Sequence, residues 1–192
     1  MLHIVYGGSA SGKSSYAESF AMSLQGEGRL LYIATMYPYK WNTTEIDPET
    51  MQRIERHRAM RADKGFDTVE CYRHVEHIVA KRQDVLLLEC MSNLLANEMY
   101  LEQDSDDGGL AETMSEVEKA GVGMSETLSP VSKKIVQALI DLSTRVQELV
   151  IVTNDVFSDG GSLTYDESTR EYVKNLAEIN LSLIHISEPT RH

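Results

Sequence analysis

Cysteine, basic residues and long apolar runs are all scarce in this sequence. Its two cysteines, Cys71 and Cys90, lie in separate apolar stretches, which excludes a disulfide framework and is typical of a cytoplasmic protein. Lys and Arg total 18 against 30 Asp and Glu, so the net charge is −12, whereas nucleic acids and anionic membranes require a basic surface. No run approaches the roughly 18 apolar residues of a membrane span, and the N-terminus carries no signal-peptide pattern. We therefore expect a cytoplasmic protein whose partners are small molecules, without nucleic acid and without a membrane span.

The acidic residues are concentrated in one segment. From position 98 to 128 the chain holds nine Asp and Glu and one Lys, so the remainder carries −12 + 8 = −4. Charge runs of this kind usually stay solvated. We predict an acidic insertion at about 103–128, without a chemical role, in a single domain that spans residues 1–180.

Strand and helix patterns alternate along the chain. The stretch "DVLLLEC" at 84–90 is a continuous apolar strand, as expected where helices cover both faces of a sheet. Strands separated by helices indicate βαβ units, and hence an α/β fold with a mainly parallel sheet flanked by helices. The predicted strands are 2–6, 29–35, 67–71, 84–90 and 149–155, and the predicted helices are 13–24, 47–64, 72–81, 91–101, 130–148 and 165–180.

A phosphate-binding loop follows the first strand. Gly7, Gly12, Lys13 and Ser14 fill the P-loop pattern G-x-x-x-x-G-K-S, between an apolar strand and a helix. The glycines allow a tight backbone whose N–H groups point at phosphate oxygens, and the helix N-terminus adds its positive end. Lys13 would reach the β- and γ-phosphates of a nucleoside triphosphate, and the Ser14 hydroxyl would ligate Mg²⁺. A second Mg²⁺ ligand is expected at the end of another buried strand, where Glu89 stands, although Glu89 could instead cap the next helix.

A histidine lies in the middle of a basic helix. In "MQRIERHRAMR", Arg53, His57 and Arg61 are spaced by four and form one stripe along the helix. An imidazole can attack an α-phosphorus, release pyrophosphate and leave a labile phosphoramidate, while neighbouring arginines stabilise the transferring group. The alternative is a solvated helix whose charges serve only solubility. His74 and His77, three residues apart, have no third metal ligand nearby and are predicted to be solvated.

The motifs together resemble one family. The set "GGSASGKS", "LYIAT", "RIERHRAMR", "DTVE", "LLLECMSNLLANE" and "LVIVTNDV", in order over residues 2–180, resembles the bifunctional adenosylcobinamide kinase/adenosylcobinamide-phosphate guanylyltransferase of cobalamin synthesis. The resemblance implies a RecA-like P-loop fold, a homotrimer and two reactions. The first transfers the γ-phosphate of ATP or GTP to the aminopropanol hydroxyl of adenosylcobinamide. The second transfers GMP from GTP to that phosphate through a guanylyl-histidine and gives adenosylcobinamide-GDP.

The resemblance also assigns site residues. The guanylylated histidine falls on His57, which with Lys13 forms the expected catalytic set, and Ser14 and Glu89 are the expected Mg²⁺ ligands. The nucleotide-binding positions fall on the glycine loop, on the end of the second predicted strand, on the end of the basic helix and on two acids. They are Gly7, Gly8, Ser9, Ala10, Ser11, Gly12, Lys13, Ser14, Ala34, Thr35, Arg58, Ala59, Met60, Arg61, Glu70 and Glu89.

The chain departs from the family pattern at several points. Many members carry Arg where Ala10 stands, and the late loop often has a longer acid at the position of Asp155. The hydroxyl-activating base is unassigned, with Asp155 and Glu70 as candidates by residue type. The final "LSLIHISEPTRH" is unlike the family, so we interpret 181–192 as a non-native tail and expect the family's last strand to be missing.

Two other functions fit the sequence. A P-loop small-molecule kinase without guanylyltransferase activity would use Lys13 and Mg²⁺, with His57 as a phosphate contact only. A non-catalytic nucleotide-binding module would use the acidic insertion to dock a partner. Lys13, Ser14 and Glu89 together favour an enzyme, because binding alone has less need of the Mg²⁺ geometry.

Overall fold

The structure is a computed structural model, which describes residues 1–101, 128–155 and 165–187. These residues form a five-stranded, all-parallel sheet in the order β1-β5-β4-β2-β3, with five α-helices packed around it. The strands are β1 (Leu2–Gly7), β2 (Leu30–Ala34), β3 (Phe66–Glu70), β4 (Val85–Glu89) and β5 (Glu148–Asn154). The helices are α1 (Lys13–Leu24), α2 (Pro48–Arg61), α3 (Met91–Tyr100), α4 (Pro130–Arg145) and α5 (Glu167–Ser187). The predicted α/β class with a parallel sheet is confirmed.

The central strands are apolar because both faces of the sheet are covered. In β4 the residues Val85 to Leu88 are all fully buried. Alternate side chains point to opposite faces, so Leu87 packs in the cluster under α1 and Leu88 in the larger cluster under α3, α4 and α5. The sheet is therefore the rigid layer that fixes the ends of β1, β2, β4 and β5 relative to one another.

The boundaries of α2 are determined by local sequence. Asp47 is the N-cap residue, and its carboxylate accepts from the Glu49 N–H at 3.3 Å and from the Thr50 hydroxyl. Pro48 occupies the first turn, where its missing N–H costs no hydrogen bond. Arg61, at the end of α2, is its one fully buried residue, and the other residues of this helix are half-buried or exposed.

The structure differs from the sequence predictions in two places. The predicted helix at 72–81 is wrong: only a short 3₁₀ turn, Val75–His77, forms there. The final helix was predicted to end at residue 180, but it continues to Ser187, with Leu183 fully buried in the core. The acidic insertion at about 103–128 lies almost entirely outside the described residues. Among the helices that are described, none combines the length and the apolar character needed to cross a membrane.

Candidate active site

The glycine loop connects β1 to α1 at the carboxyl end of the sheet. Gly12 has a φ of 81°, which L side chains rarely adopt, and it occupies the N-cap position of α1. A β-carbon on Gly7 would lie 3.1 Å from the Ser11 Oγ, so the turn is tight there. Ala10 also has a positive φ, of 54°. The Lys13 Nζ donates to the Gly8 carbonyl at 2.9 Å and thus lies folded over the loop. The loop therefore has the tight backbone expected of a phosphate cradle.

The predicted metal-side pair, Ser14 and Glu89, is in direct contact. The Ser14 hydroxyl donates to Oε1 of Glu89, across the gap between α1 and the end of β4. The other carboxylate oxygen, Oε2, is buried and has no hydrogen-bond partner among the described residues. Burial raises the pKa of this carboxyl, and the hydrogen bond from Ser14 opposes that rise. An orphaned carboxylate oxygen beside a hydroxyl is the kind of donor set that Mg²⁺ accepts when phosphate oxygens and water complete its shell.

Protein ligands alone would not make a closed metal site here. Within the part of the chain that the structure describes, no group of three His, Cys, Asp or Glu side chains could hold a metal ion. Mg²⁺ is usually held by one or two protein groups plus substrate phosphates, so a pair such as Ser14 and Glu89 would be a sufficient protein contribution.

Arg61, at the end of the basic helix α2, contacts the sheet through Tyr32. Its side chain is 5% exposed, and its Cζ lies 3.4 Å from the centroid of the Tyr32 ring. Its Nε and Nη1 are buried and have no hydrogen-bond partner among the described residues. Lys64 and the buried Glu18 form an ion pair next to it, which ties the end of α2 to α1. Arg61 thus presents unused N–H groups in the same region as Glu89.

His57 lies one helical turn before Arg61. The imidazole is half-buried and has no hydrogen-bond or ion-pair partner in the described part of the chain. Burial lowers its pKa, and the positive charges of Arg61 and Arg53 lower it further. The neutral imidazole, which is the nucleophilic form, is therefore favoured at neutral pH.

The other positions that the resemblance assigns lie at the ends of β2 and β3 and on α2. Thr35 is fully buried, and its hydroxyl donates to the Cys90 carbonyl at 2.9 Å and accepts from the Cys90 N–H at 2.7 Å. It therefore holds the end of β2 against the end of β4. Glu70, at the end of β3, forms an ion pair with Arg58 and accepts from the Tyr72 hydroxyl at 3.0 Å. Ala59 and Met60 are exposed on α2, and Ala34 ends β2.

Of the two candidate bases, Asp155 lies nearer to the glycine loop. Its backbone N–H donates to the Gly7 carbonyl at 3.0 Å, and its carboxylate accepts from the Tyr6 hydroxyl at 2.6 Å. That hydrogen bond raises the pKa of Tyr6 to about 12. Glu70, in contrast, lies on the other edge strand of the described sheet. Of these two acids, therefore, Asp155 is the one that contacts the glycine loop.

An aromatic groove adjoins the site and was missed in the sequence. We use the name aromatic groove for a cavity of about 380 Å³ between the segment after β2, the first half of α2 and α3. Tyr37 stacks with Trp41, with ring centroids 6.3 Å apart, and meets the Tyr39 ring edge-on at 5.4 Å. The lining residues are Met36, Tyr37, Tyr39, Lys40, Trp41, Asp47, Thr50, Arg53, Asn93, Ala96 and Asn97. The signal in the sequence is the run "YPYKW" at 37–41, with four aromatic or proline residues directly after a buried strand.

The fold and the site define a class of protein. A parallel sheet, a glycine loop between β1 and α1, and a serine–carboxylate pair at the strand ends are those of an α/β protein of the P-loop NTPase type. The chain belongs to the cobinamide kinase / cobinamide phosphate guanyltransferase family, whose sequence model matches residues 3–190. No curated protein matches the chain at significant similarity.

The family match decides between the functions that the sequence left open. The protein is a transferase of cobalamin biosynthesis, with cobinamide kinase and cobinamide-phosphate guanylyltransferase as its activities and nucleotide and cobinamide as its substrates. The prediction of an enzyme is confirmed, and nothing favours a kinase that lacks the second activity.

Proposed function

We propose that His57 is the group that carries GMP between the two substrates. An imidazole nitrogen attacks the α-phosphorus of GTP, a P–N bond forms, and the bond to the bridging oxygen breaks to release pyrophosphate. A phosphate oxygen of cobinamide phosphate then attacks the same phosphorus and the P–N bond breaks. The products are cobinamide-GDP and the free imidazole. The observation that carries this proposal is a half-buried imidazole between two arginines, with its pKa lowered and no partner among the described residues.

The glycine loop serves the kinase reaction. The backbone from Gly7 to Ser14 would cradle the phosphates, and Lys13 would exchange its contact with the Gly8 carbonyl for the β- and γ-phosphates. The aminopropanol hydroxyl of cobinamide attacks the γ-phosphorus, its O–P bond forms as the β–γ bridge breaks, and the hydroxyl proton passes to a base. Asp155 is our proposal for that base, because it lies against Gly7.

Ser14 and Glu89 are the proposed Mg²⁺ ligands. When bound, the ion neutralises charge that develops on the transferring phosphate. Ser14 orients the Glu89 carboxylate through its hydrogen bond, and the buried Oε2 is left for the ion or for a water on it. Arg61 would complete the positive surroundings of the phosphates with its unused N–H groups.

Three further proposals, on the oligomeric state, the domain organisation and the cellular location, rest on the sequence. We propose a homotrimer from the family resemblance, and a single catalytic domain over residues 1–180 with the acidic insertion at about 103–128. We also propose that the protein acts in the cytoplasm, because Cys71 and Cys90 are both free.

Labelled GTP tests the histidine directly. The purified protein is incubated with Mg²⁺ and GTP labelled at the α-phosphorus, with γ-labelled GTP and His57→Ala as controls. Acid-labile label retained only from α-labelled GTP, and absent from the variant, is the expected result. Folded protein that binds GTP but retains no label would overturn the proposal.

A further inference from the structure

The aromatic groove and the buried Arg61 lie on opposite sides of His57 along α2. Arg53, which lines the groove, precedes His57 by four residues, and Arg61, above Tyr32 on the α1 side of the sheet, follows by four. Residues four apart lie on the same face of a helix, about 6 Å apart along its axis. An acceptor held in the groove would therefore meet the imidazole from one side while the nucleotide phosphates meet it from the other.

The groove offers the chemistry that a large apolar ring with polar edges requires. Trp41 is 52% exposed and Tyr39 38% exposed, so their ring faces are open to solvent although they belong to a packed aromatic cluster. The cluster extends to Tyr100, whose ring meets Trp41 edge-on at 6.2 Å, and to Tyr72, which meets Tyr37 at 5.4 Å. Exposed contiguous aromatic surface of this kind marks a ligand or partner site.

Two polar side chains in the groove are unused. Arg53 and Asn93 have no hydrogen-bond or ion-pair partner among the residues that the structure describes. In contrast, the Asn97 amide is occupied, since it donates to the carbonyls of Thr35 at 2.8 Å and Tyr72 at 2.9 Å. Asp47 is occupied as the cap of α2. A guanidinium that can pair with phosphate and an amide that can pair with carboxamides thus line the groove.

We propose that the aromatic groove binds the corrinoid acceptor. Trp41, Tyr37 and Tyr39 contact one edge of the corrin ring, Asn93 contacts a carboxamide of its rim, and Arg53 pairs with the phosphate of cobinamide phosphate. The cavity of about 380 Å³ takes the aminopropyl phosphate arm, and the corrin ring rests on the exposed aromatic faces above it. This inference rests on the proposed guanylyl-histidine, because it fixes the acceptor phosphate relative to His57.

A purine base is the competing occupant of an aromatic groove. A base would use one or two ring faces, whereas the cluster spreads over five rings. Arg53 would gain no anionic partner from a neutral base, and it lies at the groove rather than at the glycine loop. The corrinoid phosphate accounts for both features, so we assign the groove to the acceptor.

The test separates the two half-reactions. Guanylyl-protein is first formed from α-labelled GTP alone, freed of nucleotide and then discharged with increasing cobinamide phosphate in single turnovers. Trp41→Ala and Arg53→Ala are compared with the wild type, with Trp41→Phe as the conservative variant and Arg56→Ala as the exposed, off-groove control on the same helix. Far-ultraviolet circular dichroism and urea unfolding confirm that each variant is folded.

The expected result for Trp41→Ala is a change in acceptor binding only. Trp41→Ala should form guanylyl-protein at a rate within twofold of the wild type, because this step needs no corrinoid. For Trp41→Ala and Arg53→Ala the cobinamide phosphate concentration for half-maximal discharge should rise at least tenfold, whereas Trp41→Phe and Arg56→Ala should change it less than threefold. Unchanged half-maximal concentrations in folded variants would overturn the inference. Slower guanylylation by GTP with an unchanged discharge would assign the groove to the base instead.

The failure of the proposed function would look different. A wild-type protein that retains no label refutes the guanylyl-histidine but leaves the groove testable by equilibrium dialysis with dicyanocobinamide. Binding to the wild type that Trp41→Ala weakens tenfold would support the groove as a corrinoid site, and equal binding would refute it.

Discussion

Replacing Arg61 by Met tests whether this buried arginine serves the nucleotide or the fold. In the ligand-free protein two effects oppose each other. The guanidinium stacks on Tyr32 with its Cζ 3.4 Å from the ring centroid, a contact worth about 0.5–2 kcal/mol. Its Nε and Nη1 are buried and have no partner in the described part of the chain, which costs about 1–3 kcal/mol. Methionine keeps the apolar stem, so we expect the free energy of unfolding without ligand to change by no more than about 1 kcal/mol.

The same substitution should weaken nucleotide binding strongly. A charge-assisted hydrogen bond to phosphate contributes about 1.5–3 kcal/mol, and a loss of about 2.3 kcal/mol lowers the affinity for GTP roughly 50-fold. At a GTP concentration of about 100 times the wild-type Kd, bound GTP stabilises the wild type by about 2.7 kcal/mol. The variant, at about twice its own Kd, gains only about 0.6 kcal/mol.

Urea unfolding with and without GTP and Mg²⁺ measures both quantities, and calorimetric titration gives the Kd independently. Arg56→Met is the matched control, since Arg56 is exposed on the same helix and without a partner in the described chain. It should behave as the wild type in both assays. The reasoning is refuted if Arg61→Met loses about 3 kcal/mol or more without ligand yet keeps the full stabilisation by GTP.

Three further predictions concern pH and packing. Because burial and neighbouring arginines lower the pKa of His57, the pre-steady-state rate of guanylylation should fall as the imidazole is protonated, with a midpoint below pH 6.5. A midpoint above pH 6.5 would contradict this. Burial raises the pKa of Asp84, but hydrogen bonds from Arg29 outweigh burial and hold the pKa below its usual range. The ionised Asp84 therefore stabilises the folded state at pH values above its unfolded-state pKa, and this stabilisation is lost as the pH falls. Asp84→Asn should therefore lower the free energy of unfolding in urea by about 1–3 kcal/mol at pH 7 and by less below about pH 4, and a pH-independent difference would contradict it. Gly28→Ala should lower the melting temperature, because its β-carbon would lie 1.8 Å from the Gln83 carbonyl oxygen, and an unchanged melting temperature would show that the backbone yields there.

The sheet and the backbone of the glycine loop could be predicted because their determinants are local. The apolar run of β4 and the spacing of Gly12, Lys13 and Ser14 each specify their structure without reference to distant residues. The contact of Ser14 with Glu89 also follows from topology, because parallel strands bring their carboxyl ends to one edge. These parts of the site are therefore visible in the sequence.

The segment at 72–81 shows where local pattern fails. Its composition allows a helix, yet tertiary contacts hold it extended around the short 3₁₀ turn. The His74 N–H donates to the Glu98 carboxylate at 2.8 Å, and Arg145 donates to the Glu76 carbonyl at 3.0 Å. Val75 is buried against the core below α4. Partners this far along the chain cannot be identified from the segment itself.

The orientation of the basic helix could be predicted only in part. The spacing of Arg53, His57 and Arg61 places them on one face of α2, but it does not say what covers each residue. The structure buries Arg61 over Tyr32 and leaves Arg53 at the groove. This difference is the basis of our proposal that Arg61 serves the nucleotide and Arg53 the acceptor.

The corrinoid products formed by His57→Ala test the central claim most directly. The variant and the wild type are incubated with cobinamide, GTP and Mg²⁺, and the corrinoids are separated by chromatography. We predict that the wild type forms cobinamide-GDP and that the variant accumulates cobinamide phosphate, because its phosphate loop is intact and only the nucleotide carrier is missing. Formation of cobinamide-GDP by the variant at the wild-type rate would contradict the account.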